Sequence, residues 1–293
     1  MRLARTVAVT GALALALGLA ACSSGGNGAA SANGNPSSYG DCAVTGAAGT
    51  HKLDLIKDGT ITVKADLPSP GWYNGDTVES IRSGFDFCLL ANIAHRAGVT
   101  NIVLQNSSFD GLVAGKAGAF DMSLNQITIT DERKKVMDFS DPYFQSTAGV
   151  LVKKDSALTE STLAGSSIGV KQGTVGQMLV TDVIKPKTAP AVFPGDAEQQ
   201  AAVAAGRIDA GIQDLSIVLG AAAQSGGALK VVGQIPTDEH YGVMFPKGSK
   251  NVATVNEILT ELRKDGTLDK LSSTYLTQAY GVDPAAIPVW SIK

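Results

Sequence analysis

Apolar and polar positions alternate in two different rhythms beyond residue 60, and the switching between them is the main structural signal in the chain. Thr60–Ala65 (TITVKA) alternates with the period of a strand. From residue 85 to 97 the period lengthens: Phe85, Leu89, Leu90, Ile93 and Ala97 share one helical face, with Gly98 behind them as a stop. Ser83-Gly84-Phe85-Asp86 at the start of that run has the form of a capping box, with Asp in the acidic place. Residues 101–105 predict the next strand, a short helix follows, and 120–124 predict another strand. Strands in turn with helices imply an α/β fold with a largely parallel sheet.

One pattern recurs. Ala117-Gly118-Ala119-Phe120-Asp121-Met122 is echoed loosely by Ala205-Gly206-Arg207-Ile208-Asp209-Ala210. In each copy a helix ends at Gly and a short strand begins near an Asp. Polar residues stand just past each strand: Asn125 and Gln126 in one, Gln213 and Asp214 in the other. Two similar lobes, each with a site at the carboxyl ends of its strands, would leave this trace.

The amino terminus follows other rules. Arg2 and Arg5 precede an apolar run from residue 7 to 20, short for a membrane span and suited to the core of a signal peptide. The run closes in Leu19-Ala20-Ala21-Cys22, which resembles the lipobox of bacterial lipoproteins. That resemblance implies cleavage after residue 21 and a lipid on Cys22. Residues 23–40 are nearly all Ser, Gly, Asn and Ala, the composition of a flexible tether. Expected boundaries are therefore a leader over 1–21 and a lipidated, tethered segment over 22–50.

Composition narrows the field further. Apolar residues make up 44% of the chain and aromatics 5%, so the core is built from Ala, Val, Leu and Ile. Loss of residues 1–21 removes two Arg and no acid, leaving 22 − 27 = −5. No basic patch invites nucleic acid. His51, His95 and His240 are far apart and lack the spacing of zinc ligands, so neither a metal nor a cofactor is expected. With Cys22 assigned to lipid, Cys42 and Cys88 remain. They form either a disulfide, as an oxidising compartment permits, or two free thiols.

Three segments carry candidate chemistry. In Thr128-Ile129-Thr130-Asp131-Glu132-Arg133, Thr130 suits an N-cap and the two acids suit a helix start. Capping explains most of these residues, while Arg133 also offers a bidentate fork for a carboxylate. Ile168–Lys171 followed by Gln172-Gly173-Thr174-Val175 reads as strand, turn and helix start, where backbone N–H groups can receive an anion. Asp214 follows a strand and precedes a helix, which fits an N-cap or a partner for an ammonium group.

In order and spacing these segments resemble the bacterial extracellular solute-binding proteins that serve polar amino-acid transporters. The resemblance runs from about Thr60 to Tyr275 and is most specific over 127–143 (ITITDERKKVMDFSDPY), near the glutamine-binding branch. Gly84-Phe85-Asp86, Ser108-Phe109-Asp110, Gly173-Thr174, the 206–210 segment and 262–268 (LRKDGTL) fall at lesser landmarks.

The resemblance implies a periplasmic-binding-protein-like fold, two α/β lobes joined by a two-strand hinge. Its expected boundaries are 51–147 plus 239–281 for one lobe, 153–233 for the other, and 148–152 with 234–238 for the hinge. By resemblance Arg133 clamps a ligand α-carboxylate, aided by N–H groups near Thr128 and Val175, with Thr174 beside them. Asp214 receives the α-ammonium with the Thr128 hydroxyl, Phe109 forms an aromatic wall, and Asp66 meets the ligand side chain. The chain departs from the pattern at Pro68-Ser69-Pro70-Gly71, where many members carry an aromatic, and at Asn125-Gln126, where many have a small residue or Gly. Asp66 together with the Asn125 and Gln126 amides favours a neutral polar side chain such as that of glutamine, with a basic one next.

The function so implied is an amino-acid receptor of an ABC importer rather than an enzyme. It is expected as a monomer, lipid-anchored on the outer face of the cytoplasmic membrane and meeting permease subunits there. The alternatives are a dehydratase acting on prephenate-like or arogenate-like acids in the same cleft, and a ligand-sensing lipoprotein.

Overall fold

The computed structural model describes residues 38–292. The expected leader (1–21), Cys22 and the tether as far as residue 37 lie outside the described residues. The chain is organised around two sheets. β3 (Thr60–Ala65) pairs in parallel with β4 (Asn101–Asn106), in register from Thr60↔Asn101 to Ala65↔Asn106. Single bridges, Val63↔Met122 and Ser123↔Met244, extend this sheet toward β5 (Met137–Phe139) and its antiparallel partner β11 (Met244–Pro246). The strand expected over 120–124 is thus reduced to these two bridges.

The second sheet has five strands. β6 (Phe144–Lys153), β7 (Ile168–Lys171), β8 (Ala191–Phe193), β9 (Ala210–Asp214) and β10 (Leu229–Tyr241) are ordered β10-β6-β9-β7-β8. β9, β7 and β8 run parallel, and β6 pairs antiparallel with both β9 and β10. The β6–β10 ladder shifts register between Ile235 and Glu239. β7 and β9 are buried along their whole length, as parallel strands covered on both faces are.

The sequence echo has a structural counterpart. Asp121 accepts from the backbone N–H groups of Ile56 and Thr62, at 2.8 and 2.7 Å. Asp209 accepts from the N–H and hydroxyl of Ser167, at 2.8 and 2.7 Å. In both copies a carboxylate ties down the start of a neighbouring strand.

α1 (Phe85–Arg96) carries the apolar face that its spacing predicts. The capping box does not form. Gly84 is the N-cap at φ 116°, where an added Cβ would meet the Trp72 carbonyl oxygen at 2.3 Å, and no side chain caps the helix. Asp86 is instead fully buried. A cap needs solvent-side geometry, and here the acid faces the core.

Packed chain begins earlier than the composition of 22–50 suggests. β1 (Ser38–Tyr39) pairs with β2 (Cys42–Ala43), and Cys42 is disulfide-bonded to Cys88 of α1, with Cα atoms 5.2 Å apart. The Asn92 carboxamide meets Thr45 N–H and the Ala43 carbonyl, so α1 holds this segment by side chains as well. At the other end, residues past 281 also pack. Val289 bridges Gln234, and the Trp290 ring lies where a Cβ on Gly233 would be, 2.2 Å from its nearest atom.

Candidate functional site

The site is assembled from loops at the carboxyl ends of strands in both sheets, the usual ligand position in α/β folds. Asp66 follows β3. Phe109 opens the short helix α2 (Phe109–Val113) after β4. Thr174 and Val175 open α4 (Val175–Met178) after β7, and Asp214 ends β9. Arg133 lies on α3 (Asp131–Val136), whose N-cap Thr130 accepts from the Arg133 N–H at 3.2 Å.

Phe109, Asn125, Gln126, Thr128, Arg133, Thr174, Val175 and Asp214 line one cavity, so eight of the nine expected ligand residues meet there. Asp66 lies beside it, linked through Lys171, which does line it. The cavity encloses about 290 Å³ free of protein atoms, but the centre of a water can reach only about 10 Å³. That is room for about one water. An amino acid requires the walls to part.

One side of the cavity is defined by Arg133 and Thr128. Thr128 faces Tyr241 in an antiparallel bridge flanked by the Gly242 N–H to Ile127 O and Ile129 N–H to His240 O bonds. The N–H and C=O of Thr128 are therefore turned away from β10. Its carbonyl accepts from Arg133 Nη1 at 2.6 Å, so its N–H is presented on the same side. Arg133 Nη2 donates to the Gly173 carbonyl at 3.0 Å, and the guanidinium stands over the Phe109 ring, 5.4 Å from its centroid. Burial lowers the Arg133 pKa to about 10, opposed by Asp214, Glu239 and Tyr241, so it stays charged at neutral pH.

Asp214 holds the opposite end. It is at the N-cap position of α6 (Leu215–Gln224) but makes no side-chain cap. Its carboxylate accepts a short hydrogen bond from the Tyr241 hydroxyl of β10. Burial pushes the Asp214 carboxyl well above the usual carboxylate range and the Glu239 charge adds to this, while Tyr241 and Arg133 oppose it. The Thr128 hydroxyl donates to Glu239 at 2.9 Å, leaving its oxygen able to accept from a cation.

The two amides expected to read a ligand side chain are otherwise engaged. Asn125 Oδ1 accepts from the Asp66 N–H at 3.1 Å. Gln126 Nε2 donates to Asp86 at 2.6 Å, and its Oε1 accepts from Ser69 Oγ at 3.0 Å. Gln126 is thus held at both ends of its amide and Asn125 at its oxygen, because buried amides need partners.

Lys171 supplies what the amides do not. It ends the buried strand β7 and is itself 5% exposed. Its ammonium lies 2.6 Å from Asp66 and 2.7 Å from Asp196, and 4.9 Å from the Phe109 centroid. Burial works against the ammonium, but Asp196 and Asp66 outweigh it and hold its pKa above the ordinary lysine value. Burial also raises Asp66, with Lys171 opposing. Sequence reasoning passed over Lys171, although a lysine closing a four-residue apolar strand signals a buried cation that needs acids. Tyr241 and Glu239 had no such local signal, since they reach the site from a strand more than 100 residues past Thr128.

The match to known proteins is extensive. The model of the bacterial extracellular solute-binding proteins, family 3, matches residues 60–278. The chain belongs to this family. The solute-binding protein is 30% identical over 230 residues to the L-cystine-binding protein TcyJ of Escherichia coli (strain K12), covering 76% of this chain and 85% of that one. An ancestral arginine-binding protein bound to glutamine superposes with a TM-score of 0.68 at 31% identity, covering 75% of this chain and 98% of that one. An ancestral amino acid-binding protein, AncCDT-1, a precursor of cyclohexadienyl dehydratase, gives 0.65 at 32% identity, covering 75% and 96%. The fold of this solute-binding protein is thus that of the periplasmic amino-acid-binding proteins, two α/β lobes joined by paired strands.

Proposed function

We propose that this protein is the extracytoplasmic receptor of an amino-acid ABC importer, closing around the zwitterion of a polar amino acid, with a glutamine-like side chain favoured. The observation that carries the reading is one cavity walled by a buried cation and a buried acid from distant elements, Arg133 on α3 and Asp214 at the end of β9. A zwitterion bears its two charges on adjacent groups and bridges such a pair. Arg133 and the Thr128 and Val175 N–H groups take the carboxylate, and Asp214 with the Thr128 oxygen takes the ammonium.

The proposed lobes are 51–147 plus 239–281 and 153–233, with 148–152 and 234–238 as the hinge. The register shift in the β6–β10 ladder beyond Ile235 supports that placement, since an interrupted ladder bends more easily. A ligand that contacts both lobes favours the closed form by its differential affinity. Permease subunits can read this difference, and a lipid on Cys22 would hold the receptor beside them.

At the side-chain end, Lys171 and Asp66 offer one donor and one acceptor, the complement of a carboxamide. Phe109 covers the apolar stem. Calorimetric titration with glutamine, asparagine, arginine, glutamate, cystine and leucine tests the reading. Glutamine is expected to bind tightest, and tight glutamate or leucine binding with glutamine silent would reverse the side-chain assignment.

A dehydratase reading draws on one feature, the raised Asp214 carboxyl, which an acid assisting loss of a hydroxyl group would need. Incubation with prephenate or arogenate separates the two, and turnover by the purified protein would favour the enzyme.

A further inference from the structure

Gln126 lines the cavity between Asn125 and Thr128 with φ at 50°. A residue with a β-carbon resists this left-handed conformation, which glycine adopts freely. Something must hold it there, and the surroundings show what does. The carboxamide is gripped from both ends, by Asp86 Oδ2 at 2.6 Å and by Ser69 Oγ at 3.0 Å.

Asp86 is fully buried in the first turn of α1, where solvent-side capping would have left it exposed. A buried carboxyl is costly without partners, and here the carboxamide of a residue 40 positions away donates to it. Among the described residues, the Gln126 carbonyl accepts no hydrogen bond from the rest of the fold.

We propose that Asp86 is a positioning residue of the amino-acid site, holding the Gln126 carboxamide so that a non-glycine residue keeps the left-handed backbone that turns its carbonyl to the ligand ammonium. An ammonium group has three N–H donors. Asp214 and the Thr128 oxygen satisfy two, and the Gln126 carbonyl satisfies the third. The arrangement rests on the amino-acid-binding reading above and adds to it a residue that never touches the ligand. It also accounts for a non-glycine residue at this position in the loop, because the side chain itself supplies the restraint that glycine makes unnecessary.

Titration of the wild-type protein with the common amino acids and cystine comes first. If none binds, the underlying reading and this inference fall together. With a ligand in hand, Asp86→Leu is expected to weaken it about tenfold, roughly 1.4 kcal/mol, and to do so by less than about twofold in a Gln126→Gly background. Gln126→Ala, which keeps the β-carbon and loses the grip, should weaken binding about tenfold and clearly more than Gln126→Gly does, since glycine holds the left-handed backbone without a grip. The α-hydroxy acid counterpart of the ligand, which lacks the ammonium, should bind the Gln126→Ala and wild-type proteins alike. A purely structural role for Asp86 would instead give the same loss in both backgrounds. That result, or equal affinity of the Gln126→Ala and Gln126→Gly proteins, overturns the proposal while leaving amino-acid binding intact. If Asp86→Leu does not fold, the two Gln126 variants decide the question by themselves.

Discussion

On the proposed reading, the buried Arg133 and Asp214 each meet one charge of the zwitterion, so removing either leaves that charge desolvated and unmatched. Arg133→Ala and Asp214→Ala should each cost at least about 2 kcal/mol in amino-acid affinity by calorimetry. A folded variant binding within twofold of wild type would remove that residue from the site. Lys171 differs because it neutralises two acids at once. Lys171→Met leaves Asp66 and Asp196 without their cation, so glutamine should bind more weakly and arginine should gain relative to it. An unchanged arginine-to-glutamine ratio would show that Lys171 does not set selectivity. Asp86 affects stability as well. Burial raises its pKa from 3.8 to about 7, so the native state holds a proton that the unfolded chain has released between those values. Its contribution is fully present below the unfolded value and is lost as pH rises through about 7. Urea unfolding of Asp86→Asn should therefore show a shallower fall in stability than wild type between pH 4 and 7.

At the scale of elements, the strongest restraint is the bond between β2 and α1. The Cys42–Cys88 disulfide closes a loop with a sequence separation of 46 residues. In the chain-entropy view a loop of that size is worth about 4 kcal/mol. Reduction, or the paired Cys42→Ser and Cys88→Ser change, should lower the melting temperature clearly while leaving ligand affinity nearly unchanged, because neither cysteine lines the site. A large loss of affinity in a protein that still melts cooperatively would tie this bond to the cleft. The same scale shows why α1 was legible and its cap was not. Five apolar residues at helical spacing recur whatever lies nearby. A Ser-x-x-Asp start is ambiguous until the partner of the acid is known, and that partner is Gln126.

For the whole molecule, the size of the cavity sets the mechanism. Space for about one water does not admit an amino acid, so the proposed receptor has its two lobes separate before binding and close afterward. Small-angle scattering should report a smaller radius of gyration on addition of saturating ligand. An identical radius at all ligand concentrations would place entry through side-chain motion alone. If Cys22 carries the proposed lipid, 19 residues separate it from the disulfide at Cys42, and fully extended they would reach no more than about 70 Å.

The sequence by itself determined the local elements and the residues that local chemistry selects. Strand and helix periods follow from which side chains leave water, and the Thr130 cap and the start of α4 at Val175 depend on neighbours three residues away. The 127–143 signature likewise placed Arg133, and the strand-to-helix junction placed Asp214. Tertiary structure alone decided where side chains with several possible partners went. Gln126 and Asn125 carry amides that suit a ligand equally well, yet Asp86, Ser69 and the Asp66 N–H claimed them first. Lys171 became the polar group beside the ligand because strands far apart in sequence set Asp66 and Asp196 within 3 Å of it. Hydrogen bonds and ion pairs act over a few ångströms of space, and distance along the chain does not report that proximity.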